Sequence, residues 1–135
     1  MSVTSCYPVL MARDVGSAAA FYRECFGFET TYASDWYVSL RLGGFELAVL
    51  AHDHATIPDG FRALPRGFLL NVEVDDVDAV HERVIAGGHR PVIGLRDEDF
   101  GQRHFIALGP DSVLVDVIQP IPPGEEYASA YVGVS

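Results

Sequence analysis

The chain has 135 residues, of which 49% are hydrophobic and 21% are charged, a balance typical of a single folded domain and not of a disordered or fibrous protein. Its formal net charge of −10 at pH 7 repels phosphate backbones and anionic membrane surfaces, so we expect no nucleic acid and no membrane as partners. The two cysteines, Cys6 and Cys25, are too few for a disulfide framework, and the sequence shows neither a secretion signal nor an apolar span of about 20 residues, so a cytoplasmic location is expected.

A strand, a helix and three more strands are predicted in the first part of the chain. The apolar run 9–11 precedes apolar residues at helical spacing, with Asp14 placed to cap the helix and Gly27 placed to end it in the left-handed conformation. Within 29–42 the period changes to two, and a Gly-Gly turn leads into a further apolar strand at 45–51. The pattern therefore predicts βαβββ.

The second part of the chain repeats this order after a segment without a sustained period. That segment, 52–66, contains Pro58, Gly60 and Pro65 and is interpreted as a linker or flap. The strand FLLNVEV is then followed by a helix over 77–86 and by the strands RPVIGLRD, RHFIALG and VLVDVIQP, the last two joined by a Gly-Pro-Asp-Ser turn. A second βαβββ pattern is thus predicted.

An internal repeat is the strongest signal in the sequence. Asp14 precedes Gly27 by 13 residues and Asp76 precedes Gly88 by 12, and each pair brackets a helix that follows one strand and precedes three. Duplication of one βαβββ module explains both halves of this pattern. We expect one domain over 1–135, and its parts are module one at about 5–51, the linker at about 52–66, module two at about 67–121 and a C-terminal tail at about 122–135 that is ordered only if something covers it.

Three stretches carry a family resemblance: ARDVGSAAAFYRECFGFE, VDDVDAVHERVIAGG and FGQRHFIALGPDSVLVDVIQP. They are similar to the two module signatures and the closing hairpin of the vicinal-oxygen-chelate superfamily, which includes glyoxalases, bleomycin resistance proteins and extradiol dioxygenases. The family's hairpin usually has Asp-Pro-Asp-Gly where this chain has Gly-Pro-Asp-Ser. Over about 5–121, the resemblance implies an α+β fold of two tandem βαβββ modules, whose curved mixed sheets form half-barrels around a ligand.

The resemblance also implies a place for a divalent metal, held by a His on the first strand and a Glu on the last strand of each module. The His positions fall on Tyr7 and Leu69, whereas Glu46 and Asp116 match the carboxylates. A leucine has no lone pair and a neutral phenol is a poor metal ligand. We therefore expect no cofactor, with a weak divalent metal site at Glu46 and Asp116 as the alternative; both carboxylates could equally lie exposed on the outer face of a strand.

Three of the five histidines, His52, His54 and His104, occupy positions of interest. His52 and His54 form an HxH pair in the linker, but without a third ligand nearby a solvated pair is favoured over a metal site. His104 alternates with Phe105 in a predicted strand, so one of the two faces the concavity. For His104 we favour a ligand contact or a structural hydrogen bond over acid–base catalysis.

With the metal ligands missing, the concavity offers aromatic and weakly polar side chains. Trp36 is the most specific of them, because it follows Asp35 at the junction of two predicted strands, where a fully buried indole is hard to place. Any one of the other aromatics could instead fill the core. The predicted ligand-binding residues are Tyr7, Trp36, Tyr37, Glu46, Phe61, Phe68, Phe100, His104 and Asp116.

These residues favour metal-independent binding and sequestration of a hydrophobic or aromatic small molecule. The resemblance to antibiotic-resistance proteins, which are acidic dimers, implies a homodimer. The alternative is a glyoxalase-like lyase or isomerase, or a dioxygenase-like enzyme, that uses the weak metal site or acid–base chemistry by Tyr7 or His104. A structural or regulatory domain without a ligand is a third interpretation.

Overall fold

The computed structural model of the protein describes residues 1–133 and contains two compact units. Unit one comprises Met1–Phe68 together with Gly109–Val113, and unit two comprises Leu69–Leu108 and the described residues from Leu114 onward. Each unit carries one four-stranded mixed sheet. The predicted α+β fold of two βαβββ modules is therefore confirmed.

Unit one contains the first module. Its elements are the strand β1 at Val9–Ala12, the helix α1 at Val15–Phe26, and the strands β2 at Glu29–Ala33, β3 at Tyr37–Leu42 and β4 at Phe45–Ala51. The sheet order is β1-β4-β3-β2. The β1–β4 pair is parallel, whereas β4–β3 and β3–β2 are antiparallel, as a strand–helix–hairpin–strand order requires.

The helix α1 covers one face of the first sheet. The Asp14 carboxylate accepts a hydrogen bond from the Ser17 N–H at 3.0 Å, and Gly27 ends the helix with φ 83°, both as predicted. Because side chains alternate along a strand, Val38 and Leu40 of β3 are buried on the α1 side. The intervening residues of β3 therefore lie on the opposite face, where a ligand has access.

Unit two contains the second module and a short additional helix. Its elements are β5 at Leu69–Glu73, α2 at Val77–Ala86, β6 at Pro91–Glu98, β7 at Gln102–Leu108, β8 at Leu114–Pro120 and α3 at Glu125–Ala128. The sheet order is β5-β8-β7-β6, with β5 parallel to β8. Within residues 1–133, no helix is both long enough and apolar enough to cross a bilayer.

The contact between α2 and β7 decides which way His104 points. His81 of α2 packs edge-on against the ring of Phe105, with 4.9 Å between ring centroids, and Phe105 is fully buried. His81 is thus half-buried in this contact. Because neighbours on a strand alternate, His104 lies on the sheet face away from α2.

The turn between β7 and β8 belongs to unit one. It runs over Gly109–Val113, and both Asp111 (φ 57°) and Ser112 (φ 61°) adopt the left-handed conformation. The Asp111 carboxylate accepts from the backbone N–H of Arg13 at 3.3 Å. Burial and the nearby Asp111 charge raise the pKa of Tyr22 in α1. The turn therefore packs on the first helix.

The chain beyond Pro120 forms contacts of its own. Within the predicted tail, which we expected to be ordered only if something covers it, α3 forms and the Gly124 N–H donates to the Asp99 carbonyl at 2.8 Å. The Tyr131 hydroxyl donates to the Phe100 carbonyl at 2.9 Å. The segment thus lies against the turn that joins β6 and β7.

Candidate functional site

The nine predicted ligand-binding residues are distributed over both units. Six of them belong to unit one and three to unit two. Within unit one the structure brings together three aromatic side chains in one cluster and two phenylalanines at one cavity, with Glu46 in a separate polar pocket. Within unit two it brings together Phe100, His104 and Asp116.

The first group is a tyrosine–tryptophan cluster formed by Tyr7, Tyr32, Trp36 and Tyr37. Tyr37 is its centre, with ring centroids 5.9 Å from Trp36 and 6.3 Å from Tyr32 and interplanar angles of 62° and 61°. The hydroxyl groups of Tyr37 and Tyr7 share a hydrogen bond. These edge-on contacts hold the rings at angles to one another.

The sheet register explains why this cluster is accessible. Tyr37 pairs with Leu50 and Tyr32 pairs with Ser39, so both tyrosines lie on the face opposite α1. Tyr7 is 43% exposed and Tyr32 is 55% exposed. Burial, and then the hydrogen bond to Tyr7, raise the pKa of Tyr37, so it remains a neutral phenol at pH 7. The cluster therefore consists of two exposed tyrosines, Tyr7 and Tyr32, and the half-buried Trp36 and Tyr37.

The turn between β2 and β3 fixes the two central rings. Ser34 accepts hydrogen bonds through its hydroxyl oxygen from the backbone N–H groups of Tyr37 at 3.1 Å and Trp36 at 3.4 Å. Its own N–H donates to the Tyr37 carbonyl at 2.8 Å. A serine in this position satisfies turn amides that would otherwise face solvent. The backbone of Trp36 and Tyr37 is thus held by hydrogen bonds within the turn.

The linker contributes a histidine that covers one face of Trp36. The imidazole of His54 and the indole are stacked, with 3.8 Å between ring centroids and 5° between planes. The other member of the HxH pair, His52, lies beside the Ala12 carbonyl, with its Nδ1 at 3.3 Å. The two histidines therefore have different partners and do not converge on one point.

Glu46 lies on the same face of the first sheet but in a polar pocket. It pairs with Arg41 across β3 and β4, and Arg41 donates to its carboxylate at 3.4 Å. The Ser5 hydroxyl donates to the other carboxylate oxygen. These bonds, the one from Ser5 first, lower the pKa of Glu46. Glu46 is therefore an anion at pH 7 at the edge of a pocket of about 520 Å³.

Phe61 and Phe68 meet at a different cavity of unit one. This cavity of about 440 Å³ lies along β1 and is also lined by Val9 and Met11. Phe61 is 73% exposed, so its ring is largely in contact with solvent. The linker thus provides an apolar surface beside β1 in addition to the His54 contact.

Unit two contains a buried charge cluster that the sequence predicted only in part. His104 Nδ1 lies 2.7 Å from Asp116 Oδ1, and His104 Nε2 lies 2.8 Å from Glu98 Oε2. The Arg96 guanidinium donates to the same Glu98 oxygen at 2.8 Å. His104 is 4% exposed and Asp116 is 6% exposed. The predicted concave-face position of His104 is therefore occupied by a paired imidazole.

The partners of His104 determine its charge. Burial alone would lower the pKa of His104, but hydrogen bonds to Glu98 and then Asp116 outweigh it, so the pKa is raised. The bond from His104, followed by the bond from Arg96, lowers the pKa of Glu98. A protonated imidazole can donate from both nitrogens, which matches the two carboxylates. Both nitrogens are thus engaged, which leaves neither in contact with a reacting group.

Phe100 connects this cluster to the C-terminal helix. Its ring centroid lies 6.5 Å from that of His104 and 6.1 Å from that of Tyr127, with edge-on geometry in both pairs. Phe100 is itself partly exposed. It therefore forms the outer layer of the His104 cluster, with α3 beside it.

The donor set does not fit the divalent metal that the family resemblance implies. At the positions of the two imidazoles stand Tyr7, which is bonded to Tyr37, and Leu69, which has no donor atom. The two carboxylates are held by other residues, Glu46 by Ser5 and Asp116 by His104. Across the described part of the chain, no group of three or more His, Cys, Asp or Glu is arranged to hold a metal ion.

Four residues of these sites were not predicted from the sequence. Tyr32 and Glu98 could have been found from strand alternation, which places them across from Ser39 and Gln102 on the relevant faces. Arg96 precedes Glu98 by two residues on the same strand and shares that signal. No local pattern indicates the stack of His54 on Trp36, because the two residues lie on different elements.

Comparison with known proteins places this fold in a family. The model of the Glyoxalase/Bleomycin resistance protein/Dioxygenase superfamily matches residues 6–117. The chain is similar to the structure of a glyoxalase/bleomycin resistance protein/dioxygenase family enzyme from Burkholderia phytofirmans, with 22% identity over 85% of this chain and 97% of that chain and a TM-score of 0.74.

Two further solved structures show the same likeness. A glyoxalase-related enzyme from Fulvimarina pelagi is 20% identical over 86% of this chain and 87% of that chain, with a TM-score of 0.74. A lactoylglutathione lyase from Agrobacterium tumefaciens is 19% identical over 88% of this chain and 96% of that chain, with a TM-score of 0.66. No curated protein matches the chain significantly. The match over residues 6–117 shows that the chain belongs to the Glyoxalase/Bleomycin resistance protein/Dioxygenase superfamily.

Proposed function

We propose that the protein binds and sequesters a planar aromatic small molecule on the tyrosine–tryptophan cluster, without a metal. The observation that carries this proposal is the arrangement around Tyr37, which has Tyr32 and Trp36 as edge-on neighbours and lies with Tyr32 on the face of the first sheet opposite α1. An ordered group of four aromatic side chains, of which Tyr7 and Tyr32 are exposed and Trp36 and Tyr37 are half-buried, is typical of a binding surface.

The energetics of such a site favour a flat ligand. Each aromatic pair adds about 0.5–1.5 kcal/mol beyond the area that it buries, so contact with three rings adds about 1.5–4.5 kcal/mol. Micromolar affinity corresponds to about 8 kcal/mol, and the remainder would come from apolar burial. Glu46 lies on the same sheet face as an anion. It would favour ligands that carry a hydrogen-bond donor or a positive charge.

The enzyme alternative requires groups that have other partners here. His104 bonds to Glu98 and Asp116 through its two nitrogens, and the Glu46 carboxylate accepts from Ser5 and Arg41. A lyase, isomerase or dioxygenase would have to release one of these before it could hold a metal or move a proton. Retention of about one equivalent of Zn, Ni, Mn or Fe per chain after dialysis would support that alternative and contradict our proposal.

Fluorescence of Trp36, the single tryptophan of the chain, provides the test. We would titrate the protein with 9-aminoacridine, a planar three-ring cation, and with hexyltrimethylammonium, a cation without rings. The proposal predicts saturable quenching by 9-aminoacridine and none by the aliphatic cation. No saturable response to 9-aminoacridine would contradict it, and equal responses to both would show that charge, not stacking, is recognised.

Two matched variants locate the site. Tyr37→Ala removes the central ring and should weaken 9-aminoacridine binding about threefold to tenfold, the equivalent of one aromatic pair. Phe45→Ala removes an aromatic ring of the same sheet that is 77% exposed and lies outside the cluster, so it should leave the affinity unchanged. The proposed homodimer would be measured by light scattering in the same samples.

A further inference from the structure

We infer that His54 is a built-in occupant of the stacking face of Trp36, which a planar ligand with a ring nitrogen acceptor displaces. This inference rests on the proposed function and specifies the chemical class of the ligand. It concerns one ring face of the tyrosine–tryptophan cluster. The other contacts in that cluster are edge-on, whereas the His54 contact is face-to-face.

The geometry of the stack is that of a ligand in a stacking site. The ring planes differ by 5° and the centroids are 3.8 Å apart, which is closer than the usual 4.5–7 Å between aromatic centroids. Both residues are half-buried. His54 comes from the linker and not from the sheet, so its ring is held over Trp36 by a separate segment. An incoming flat molecule would compete with this ring for the same face.

The hydrogen bonds of His54 show what else the site offers. The backbone N–H of Thr56 donates to His54 Nδ1 at 3.2 Å, and this fixes Nδ1 as an acceptor. The Thr56 hydroxyl, 2.9 Å from the same nitrogen, therefore donates as well. A ligand that replaces the imidazole meets an indole face and two donors at its edge. The structure thus selects a planar heteroaromatic ring with an in-plane acceptor nitrogen over a plain hydrocarbon.

The backbone around His54 can stay in place when the side chain leaves. The His54 N–H donates to the Ala51 carbonyl at 3.1 Å, and the Ile57 N–H donates to the His54 carbonyl at 3.1 Å. The side chain of Ile57 is buried and anchors the turn. Neither bond involves the imidazole, so rotation of that ring uncovers Trp36 without unfolding the linker. The Thr56 donors remain in position for a ligand.

Quinoxaline and naphthalene form a matched pair of probes. They have the same two-ring shape, but only quinoxaline has ring nitrogen acceptors, and it stays neutral at pH 5 and at pH 8. Binding would be followed by the indole N–H resonance of Trp36, the only tryptophan. We expect His54→Ala to bind quinoxaline at least tenfold more tightly than the wild type at pH 8. Naphthalene should bind both proteins more weakly than quinoxaline.

Control variants separate this inference from the proposed function. His52→Ala removes the neighbouring histidine, which does not stack on Trp36, and should leave quinoxaline affinity unchanged. His54→Gln keeps an acceptor for Thr56 and replaces His54→Ala if the latter does not fold. If the His54 variants bind quinoxaline no better than the wild type while 9-aminoacridine still binds, the inference is wrong and the proposed function stands. If 9-aminoacridine does not bind, the proposed function itself is wrong.

Discussion

His104 Nδ1 lies 2.7 Å from Asp116 Oδ1 on adjacent strands of the second sheet, and Glu98 closes on the other ring nitrogen at 2.8 Å. The imidazole thus bridges β6, β7 and β8 through charge-assisted hydrogen bonds, which are shorter and stronger than neutral ones. With 4% of His104 exposed, water cannot replace these partners. Because each ring nitrogen already has a partner, we assign this cluster a role in stabilising the second module.

The stability of the protein should fall as the pH rises above about 6.5, the ordinary pKa of histidine. Since the folded-state pKa of His104 is raised, its contribution is complete below the unfolded value and is lost as the pH rises through the folded value. His104→Gln keeps a hydrogen-bonding side chain that does not titrate. In urea unfolding, the wild type should be more stable than this variant, and the difference in the free energy of unfolding should be smaller at pH 9 than at pH 6.

At acid pH, the dependence of stability on pH that this cluster causes has the opposite sign. Because the pKa of Glu98 is lowered by His104 and then Arg96, its contribution is present above about 4.3, the ordinary value for glutamate, and is lost as the pH falls through the lowered value. Glu98→Gln should therefore reduce the loss of stability between pH 5 and pH 3. An unchanged acid slope in this variant would contradict the role that we assign to Glu98.

Removal of the His104 side chain should destabilise the protein strongly. His104→Ala leaves the buried Asp116 carboxylate without its partner, and breaking a buried pair in this way costs about 3–5 kcal/mol. Asp59→Ala is the control, because Asp59 pairs with Arg62 at 3.2 Å but its side chain is 95% exposed, and such pairs contribute little. Thermal unfolding of both variants measures the contrast. Similar effects of the two substitutions would show that the cluster is not buried in solution.

Ser112→Gly should stabilise the turn between β7 and β8. Ser112 has a φ of 61°, a conformation that costs a non-glycine residue about 1–2 kcal/mol, whereas the added freedom of glycine in the unfolded chain costs about 0.4–1 kcal/mol. We expect a net gain of about 0.5–1 kcal/mol in the free energy of unfolding. Ser129→Gly, at a position with φ −73°, should be destabilising. The family resemblance agrees with this prediction, because glycine is the usual residue where Ser112 stands.

Gly101→Ala should detach the C-terminal segment. Gly101 has a φ of 107°, and a β-carbon there would lie 3.0 Å from the Tyr131 hydroxyl and 3.1 Å from the Ile121 carbonyl oxygen. We expect faster cleavage by chymotrypsin after Tyr127. Gly94→Ala is the control, since a β-carbon at Gly94 would meet no atom within 4 Å. Equal cleavage rates in the two variants would show that the segment is not packed as described.

Removal of divalent metal ions by a chelator should leave the thermal stability of the protein unchanged. Glu46 is held by Ser5 and Arg41, and Asp116 is held by His104, so neither carboxylate depends on an added ion. We expect EDTA and millimolar Mn or Zn to shift the melting temperature by less than about 1 °C. A large shift that Glu46→Gln or Asp116→Asn abolishes would support the enzyme alternative.

The elements of the fold could be predicted because their signals are local. Asp14, Gly27 and Asp76 occupy the cap positions that the sequence assigns them, and each predicted strand appears within a few residues. At the end of α2 it is Gly88 that takes the left-handed conformation, with φ 83°, after Gly87 at φ −76°. Helix caps and hydrophobic periods depend on residues that are close together in the chain, so they can be recognised in a single sequence.

The site could be predicted only in part because it depends on tertiary contacts. Alternation indicated that either His104 or Phe105 faces the ligand side, but the contact of Phe105 with His81 decides which one does. That His104 would be paired at both nitrogens depends on strand register, which places His104 opposite Arg96 and Ile118. The stack of His54 on Trp36 joins the linker to the end of a strand, and no periodic pattern in the sequence indicates it.

The turn at Gly109–Val113 determines whether the protein can be divided into two fragments that fold separately. It belongs to the first compact unit although it lies between two strands of the second. A single cut in the chain therefore cannot separate the two repeats into complete compact units. A fragment that ends at Phe68 would lack the loop that contacts Arg13. We expect such a fragment to recover its native fold only when the missing half is supplied in trans, as in fragment complementation.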